Sequence, residues 1–273
     1  MAKQKTFHVT ANRTKKIKRC EDMFRWYGGL GLLLILLVEL NFFLKIEPFA
    51  SWYFPLVWFG YILVVDSIVY KLSHKSLISS RFLQFLSMIF ASALFWWIFE
   101  FMNGSVRNWQ YTGVELSVTA RNLMGTLSFA TVLPAVMETA ELFRTLHLFD
   151  HVTLKRKYNI SKKFLHTLIE IGVACLMLPF LFPAFTYPLV WLSFFLILDP
   201  LNYLHHQPSI IQHLRDRKLV VPLTLVLAGI VCGLFWEFWN YWAVPKWTYD
   251  IPFVGFFKIF EMPVLGYVGY FPF

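Results

Sequence analysis

Polar residues are bunched at intervals along this chain, and between the bunches lie stretches of about 20 mostly apolar residues, the length that carries a helix across roughly 30 Å of hydrocarbon. Eight are expected, near residues 27–43, 52–70, 82–102, 122–143, 164–182, 183–204, 219–242 and 253–273. The fifth and sixth are separated by almost nothing at Phe182 and Pro183, which predicts a tight helical hairpin. The fold class that follows is all-α, a polytopic transmembrane helical bundle of about eight spans.

The pattern is written twice. Pro55-Leu-Val-Trp leads to Asp66, Tyr70, Ser76, Leu77 and Ile78; the same four residues from Pro188 lead to Asp199, Tyr203, Ser209, Ile210 and Ile211, each 133 positions later. Glu100 and Asn103 reappear as Glu237 and Asn240 at an offset of 137, and Trp109-x-Tyr111 reappears as Trp247-x-Tyr249 at an offset of 138. The expected organisation is a basic cytoplasmic tail (1–26), a four-span unit (27–143), a basic cytoplasmic linker (144–163) and a second four-span unit (164–273). An even number of spans per unit makes the repeat parallel, with a pseudo-two-fold axis along the membrane normal. Pro134 pairs with Pro272 at the offset of 138, so the counterpart of Glu138 falls at position 276, past Phe273. The second unit is therefore expected to be truncated at its C-terminus.

Composition supports lipid as the solvent: 58% of residues are hydrophobic and 15% charged, with 30 Phe and 11 Trp, more apolar surface than one soluble core could bury. The net charge of +9 is explained by position. Eight of the 25 basic residues lie in the N-terminal tail and twelve in loops on the same side, including Lys155-Arg156-Lys157, which leaves five on the other. The positive-inside rule then places both termini in the cytoplasm, in a plasma or inner membrane, and nucleic acid is not needed as a partner. The basic start followed by the apolar run from Gly28 lacks a small-residue cleavage pattern, so it reads as an uncleaved first span. Cys20, Cys175 and Cys232 form no disulfide framework.

Chemistry is expected where ionisable groups sit at membrane depth, because each costs about 2.5–3.5 kcal/mol to insert at a helix centre. The candidates are all acids: Glu39, Asp66, Glu100, Glu138, Glu141, Glu170, Asp199, Glu237 and Glu261. Asp66 and Asp199, each followed by Tyr and Ser, stand near cytoplasmic helix ends, where satisfying backbone groups is the simpler reading. Glu100 and Glu237 stand near the opposite ends. An aromatic belt accounts for the tryptophans there, but not for an acid with an amide three residues on in both copies. His205, His206 and His213 share one loop, yet their spacing fits no metal motif, and no cofactor or phosphate-cradling pattern is present.

The order Glu100, Asn103, Trp109, Tyr111, Pro134, Glu138 resembles the membrane-integral lycopene cyclases, which also consist of two related multi-span units. In place of that family's Pro-x-Glu-Glu element, this chain has Pro134-Ala-Val-Met-Glu138. The resemblance implies protonation of a polyene by a carboxylic acid, with Glu138 in that role. Glu100, Glu237 and Glu138 are thus candidate catalytic acids. Asn103, Asn240, Trp109, Trp247, Tyr111, Tyr249, Asp66 and Asp199 are candidate substrate-binding residues. Three readings stand at this stage: a lipid-phase enzyme acting on an isoprenoid or carotenoid, a transporter or channel with a cation or proton site between the units, and a scaffold that organises lipid.

Overall fold

The structure is a computed structural model that describes residues 24–113 and 117–272. Most of the expected basic tail, with Cys20, lies outside the described residues. The helices are α1 (Trp26–Leu44), α2 (Tyr53–Ser73), α3 (Leu77–Ser80), α4 (Phe82–Val106), α5 (Val118–Ala130), α6 (Val132–Thr145), α7 (Lys162–Leu181), α8 (Pro183–Thr186), α9 (Leu189–Leu204), α10 (Ile210–Arg215) and α11 (Val220–Trp242). Short strands β1 (Trp109–Thr112) and β2 (Lys246–Tyr249) pair with each other. The strands β3 (Lys258–Ile259) and β4 (Met262–Pro263) precede a 3-10 helix (Val264–Tyr270).

Among the described residues, six helical segments are long and apolar enough to cross a membrane: α1, α2, α4, the α5–α6 pair, α7 and α11; α9 is apolar but shorter. Large apolar side chains such as Leu83, Phe90, Phe101 and Phe185 face outward, while Ser67, Ser92, Thr131, Thr139, Ser193, Thr224 and Asn240 are buried. That inversion of the soluble pattern is what lipid as solvent requires, since polar groups must find partners inside the bundle.

Small residues set the helix crossings. A Cβ on Gly31 would meet the carbonyl oxygen of Gly60 at 2.6 Å and Leu63 Cβ at 2.9 Å, so α1 and α2 touch backbone to backbone. In the α7–α9 hairpin a Cβ on Gly172 would meet Ile197 at 2.7 Å and Leu196 at 3.0 Å, the positions 133 residues after Val64 and Leu63.

One expectation is corrected and another gains detail. The fourth expected span lies within Val118–Thr145 but carries a break, α5 ending at Ala130 and α6 beginning at Val132. Pro134 has no N–H for the Ala130 carbonyl, and the Ser92 hydroxyl wedges into the next turn, donating to the Phe129 carbonyl at 2.5 Å and accepting from the Leu133 N–H at 3.0 Å. Thr131 turns its own hydroxyl back onto the Ser128 carbonyl. The eighth span, expected over 253–273, is not a helix. Pro252, Gly255, Pro263, Gly266 and Gly269 interrupt it, and the chain folds into the β3–β4 hairpin and the 3-10 helix instead. That helix packs on α11, where a Cβ on Gly233 would meet the Tyr270 ring at 2.6 Å.

Ser92→Ala would strip two buried backbone groups of their shared partner while the Pro134 ring keeps them apart. The expected loss is about 1–3 kcal/mol for each group left unpaired, read as a lowered unfolding midpoint in detergent, with Ser92→Thr recovering it.

Candidate functional site

The site at one end of the bundle begins with two asparagines. Asn103, in the last turn of α4, accepts from the Asn108 and Trp109 N–H groups at 2.9 and 3.3 Å and donates to the Trp109 carbonyl at 2.8 Å. Asn240, in the last turn of α11, accepts from the Trp247 N–H and donates to its carbonyl, both at 2.8 Å. Each amide thus folds the chain leaving its helix back into a strand. The strands then pair antiparallel, Trp109 opposite Tyr249, Gln110 opposite Thr248 and Tyr111 opposite Trp247.

One turn before each asparagine lies an acid, and the strand delivers donors to it. Glu100 Oε1 accepts from Tyr111 at 2.6 Å, Trp109 Nε1 at 3.1 Å and Trp96 Nε1 at 3.3 Å. Glu237 Oε1 accepts from Tyr249 at 2.7 Å and Tyr270 at 2.8 Å, and Trp247 Nε1 donates to Tyr249 at 2.6 Å. Burial first, then the charge of Glu237, holds the Tyr249 and Tyr270 hydroxyls well above the usual phenol range, so both stay protonated donors. Position 233 lies four residues before Glu237, as Trp96 does before Glu100. Where the first acid takes an indole from its own helix, the second has a glycine, and the Tyr270 ring occupies the space.

A cavity of about 1070 Å³ opens beside this hairpin. Both halves of the chain wall it: Phe54, Trp96, Phe129, Val132 and Val136 from one, Trp191, Phe195, Leu225, Trp236 and Trp247 from the other. On α11 the wall extends from Pro222 to Trp236, fourteen residues apart, so the chamber is at least about 21 Å long. Among the described residues, Glu100 is the one carboxyl residue in its wall. Trp109, Tyr111, Trp247 and Tyr249 line it as well; Glu237, Asn103 and Asn240 do not. Glu237 is fully buried behind its tyrosines, and its Oε2 meets no partner among the described residues.

The other expected site residues lie at the opposite, basic end. Asp66 accepts from the Ile78 N–H at 2.7 Å, from Ser76 Oγ at 2.8 Å and from the Tyr27 hydroxyl. Asp199 accepts from the Ile210 and Ile211 N–H groups at 2.6 and 2.9 Å. Ser76 and Ser209 cap the same short helices, α3 and α10, by accepting from the Ser79 and Gln212 N–H groups. Both aspartates therefore anchor a short helix to a long one, and neither lines the chamber. Glu138 does not line it either. Val132 and Val136 present one face of α6 to the chamber, while Glu138 is fully buried and neither of its oxygens has a hydrogen-bond partner among the described residues.

No family model, curated protein or solved structure matches this chain.

Proposed function

We propose that this chain is a lipid-phase enzyme that binds a long apolar isoprenoid in the chamber and protonates one of its double bonds from Glu100. The observation that carries the reading is the combination of a long, aromatic-lined chamber with a single carboxyl, among the described residues, in its wall. Three donors converge on Glu100 Oε1, which then serves as the carbonyl oxygen of a neutral acid and leaves the Oε2 hydroxyl to give up the proton. Faces of Trp96, Trp191 and Trp236 stabilise the carbocation that forms. The Glu100 carboxylate left behind takes a proton back from a neighbouring carbon, which completes an isomerisation or cyclisation and restores the acid, so atoms balance without a cofactor. A cation or polar solute would need a polar path, and this wall is mostly apolar, which favours the enzyme over the transporter.

Two related units support this geometry. Trp109 pairs with Tyr249 and Tyr111 with Trp247, to either side of Gln110 opposite Thr248, the reciprocal register expected of two strands related by a local two-fold axis. We take that axis to run along the membrane normal, with the basic end in the cytoplasm of a cell bounded by a plasma or inner membrane. The resemblance to lycopene cyclases then supplies the substrate class, a polyene. The acid role moves from Glu138 to Glu100.

Membranes with and without the chain, incubated with acyclic polyene isoprenoids in D2O and extracted for mass spectrometry, test this. The expected product is an isomer of the substrate carrying carbon-bound deuterium. An identical isoprenoid profile in the two preparations, with the protein present, would refute it.

A further inference from the structure

The chamber wall has two unlike ends. Among the described residues its charged members are Glu100, Arg121 and Lys246, and all three belong to the ribbon end. Toward the basic end the wall is built from Val136, Phe195, Ile210, Pro222 and Leu225. Only five basic residues lie away from the basic end, Lys45, Arg107, Arg121, Lys246 and Lys258, and two of these five border the chamber.

Those two cations are differently committed. Lys246 Nζ lies 2.6 Å from Glu261 Oε1, so its charge is already balanced. Arg121, in the first turn of α5, is exposed, and its guanidinium makes no ion pair or hydrogen bond among the described residues. Asn108, just before β1, also lines the chamber. It is 6% exposed, yet its side-chain amide has no hydrogen-bond partner among the described residues. Buried amides are normally paired, so an unpaired one on a cavity wall is placed for a ligand's polar atoms.

Arg121 also stands level with the acid. Helix α4 ends at the ribbon and α5 leaves from it, and the two meet where Trp97 Nε1 donates to Thr126 Oγ1 at 3.1 Å. Glu100 is three residues past that contact and Arg121 five residues before it, which sets them about 4.5 and 7.5 Å nearer the ribbon by helical rise.

We propose that the ligand is an amphiphile: an isoprenoid with a phosphate or diphosphate head, taking Arg121 as its cationic partner and the Asn108 amide as a donor. This rests on the reading of the chamber as an isoprenoid site and adds which end of the molecule lies where. A guanidinium offers paired N–H donors that match phosphate oxygens. Because Arg121 is exposed, the head keeps part of its hydration, and the penalty of burying an anion is avoided. The tail runs along the apolar wall toward Pro222, and the isoprene units next to the head are those that face Glu100.

Binding of geranylgeranyl phosphate, geranylgeraniol and phosphatidic acid to the full chain in neutral detergent, read by quenching of the chamber tryptophans, tests this. The phosphate is expected to bind about 10- to 100-fold more tightly than the alcohol, the range of hydrogen bonds to a charged group. Arg121→Gln should remove that advantage and leave the alcohol's affinity unchanged. Arg107→Gln, a cation outside the chamber wall, should change neither. Phosphatidic acid should bind more weakly than the isoprenoid phosphate. Equal affinity for phosphate and alcohol, or an advantage that survives Arg121→Gln, would overturn the head site while leaving the isoprenoid chamber standing. Phosphatidic acid binding as tightly as geranylgeranyl phosphate would assign the site to a membrane phospholipid and overturn the proposal. No binding of phosphate or alcohol by the unaltered chain would overturn the chamber reading as well.

Discussion

Glu100→Gln is expected to lower polyene turnover by about 10²- to 10⁴-fold, the usual contribution of a positioned general acid, while ligand binding stays within a few-fold of the unaltered chain. Glutamine fills the same volume and keeps an Oε1 to accept from Tyr111, Trp109 and Trp96. What it lacks is the hydroxyl proton. Glu237→Gln provides the contrast, since that side chain has the same Asn and Trp-x-Tyr after it but no face on the chamber. Its effect on turnover is expected to be less than 10-fold. Measuring turnover and bound ligand for both variants separates chemistry from positioning. Equal losses in the two would mean that the matched acids act together and that the chamber wall does not single out Glu100. An undiminished Glu100→Gln turnover would remove the protonation step from the proposal.

That asymmetry shows how much of the site was legible in the residues and where legibility ended. The spacings were informative because short-range hydrogen bonding makes local use of them. An asparagine three residues after each acid pins the returning strand, and Trp-x-Tyr then points two side chains to one face of it, toward the acid. Aspartate followed by serine and two apolar residues builds a capped short helix in both halves. Nothing in those spacings says that one glutamate borders a cavity and the other is walled in. The difference traces to position 233, where glycine admits Tyr270, against Trp96 in the first half, and its meaning depends on where the last residues of the chain pack. The eighth span was misjudged for a related reason. Phe, Val, Leu and Tyr give residues 253–272 the hydropathy of a membrane span, but proline and glycine at short intervals remove the backbone hydrogen bonds that a helix needs in lipid. The break at Thr131 was announced by Pro134, yet its depth depended on Ser92 from a different helix.

Asp66 and Asp199 provide a sharper case, because sequence treats them as the same residue. Asp66→Ala is expected to destabilise the chain substantially more than Asp199→Ala. Hydrogen bonds to a charged group contribute about 1.5–3 kcal/mol each, and Asp66 takes three, one of them from α1, whereas Asp199 takes two, both from the backbone of the helix it caps. Solvent deepens the difference. Asp66 is fully buried and Asp199 slightly exposed, so water can partly replace the lost carboxylate at Ile210 and Ile211 but has less access to Ser76 and Ile78. Loss of Asp66 also frees Tyr27 from α2, so α1 is expected to loosen at its first turn. Loss of Asp199 should affect only the α9–α10 corner. Unfolding midpoints in a fixed detergent give the ranking, and amide exchange in α1 distinguishes the two mechanisms. Equal midpoints, or unchanged exchange in α1 with Asp66→Ala, would mean that the buried three-donor cluster contributes no more than an ordinary helix cap.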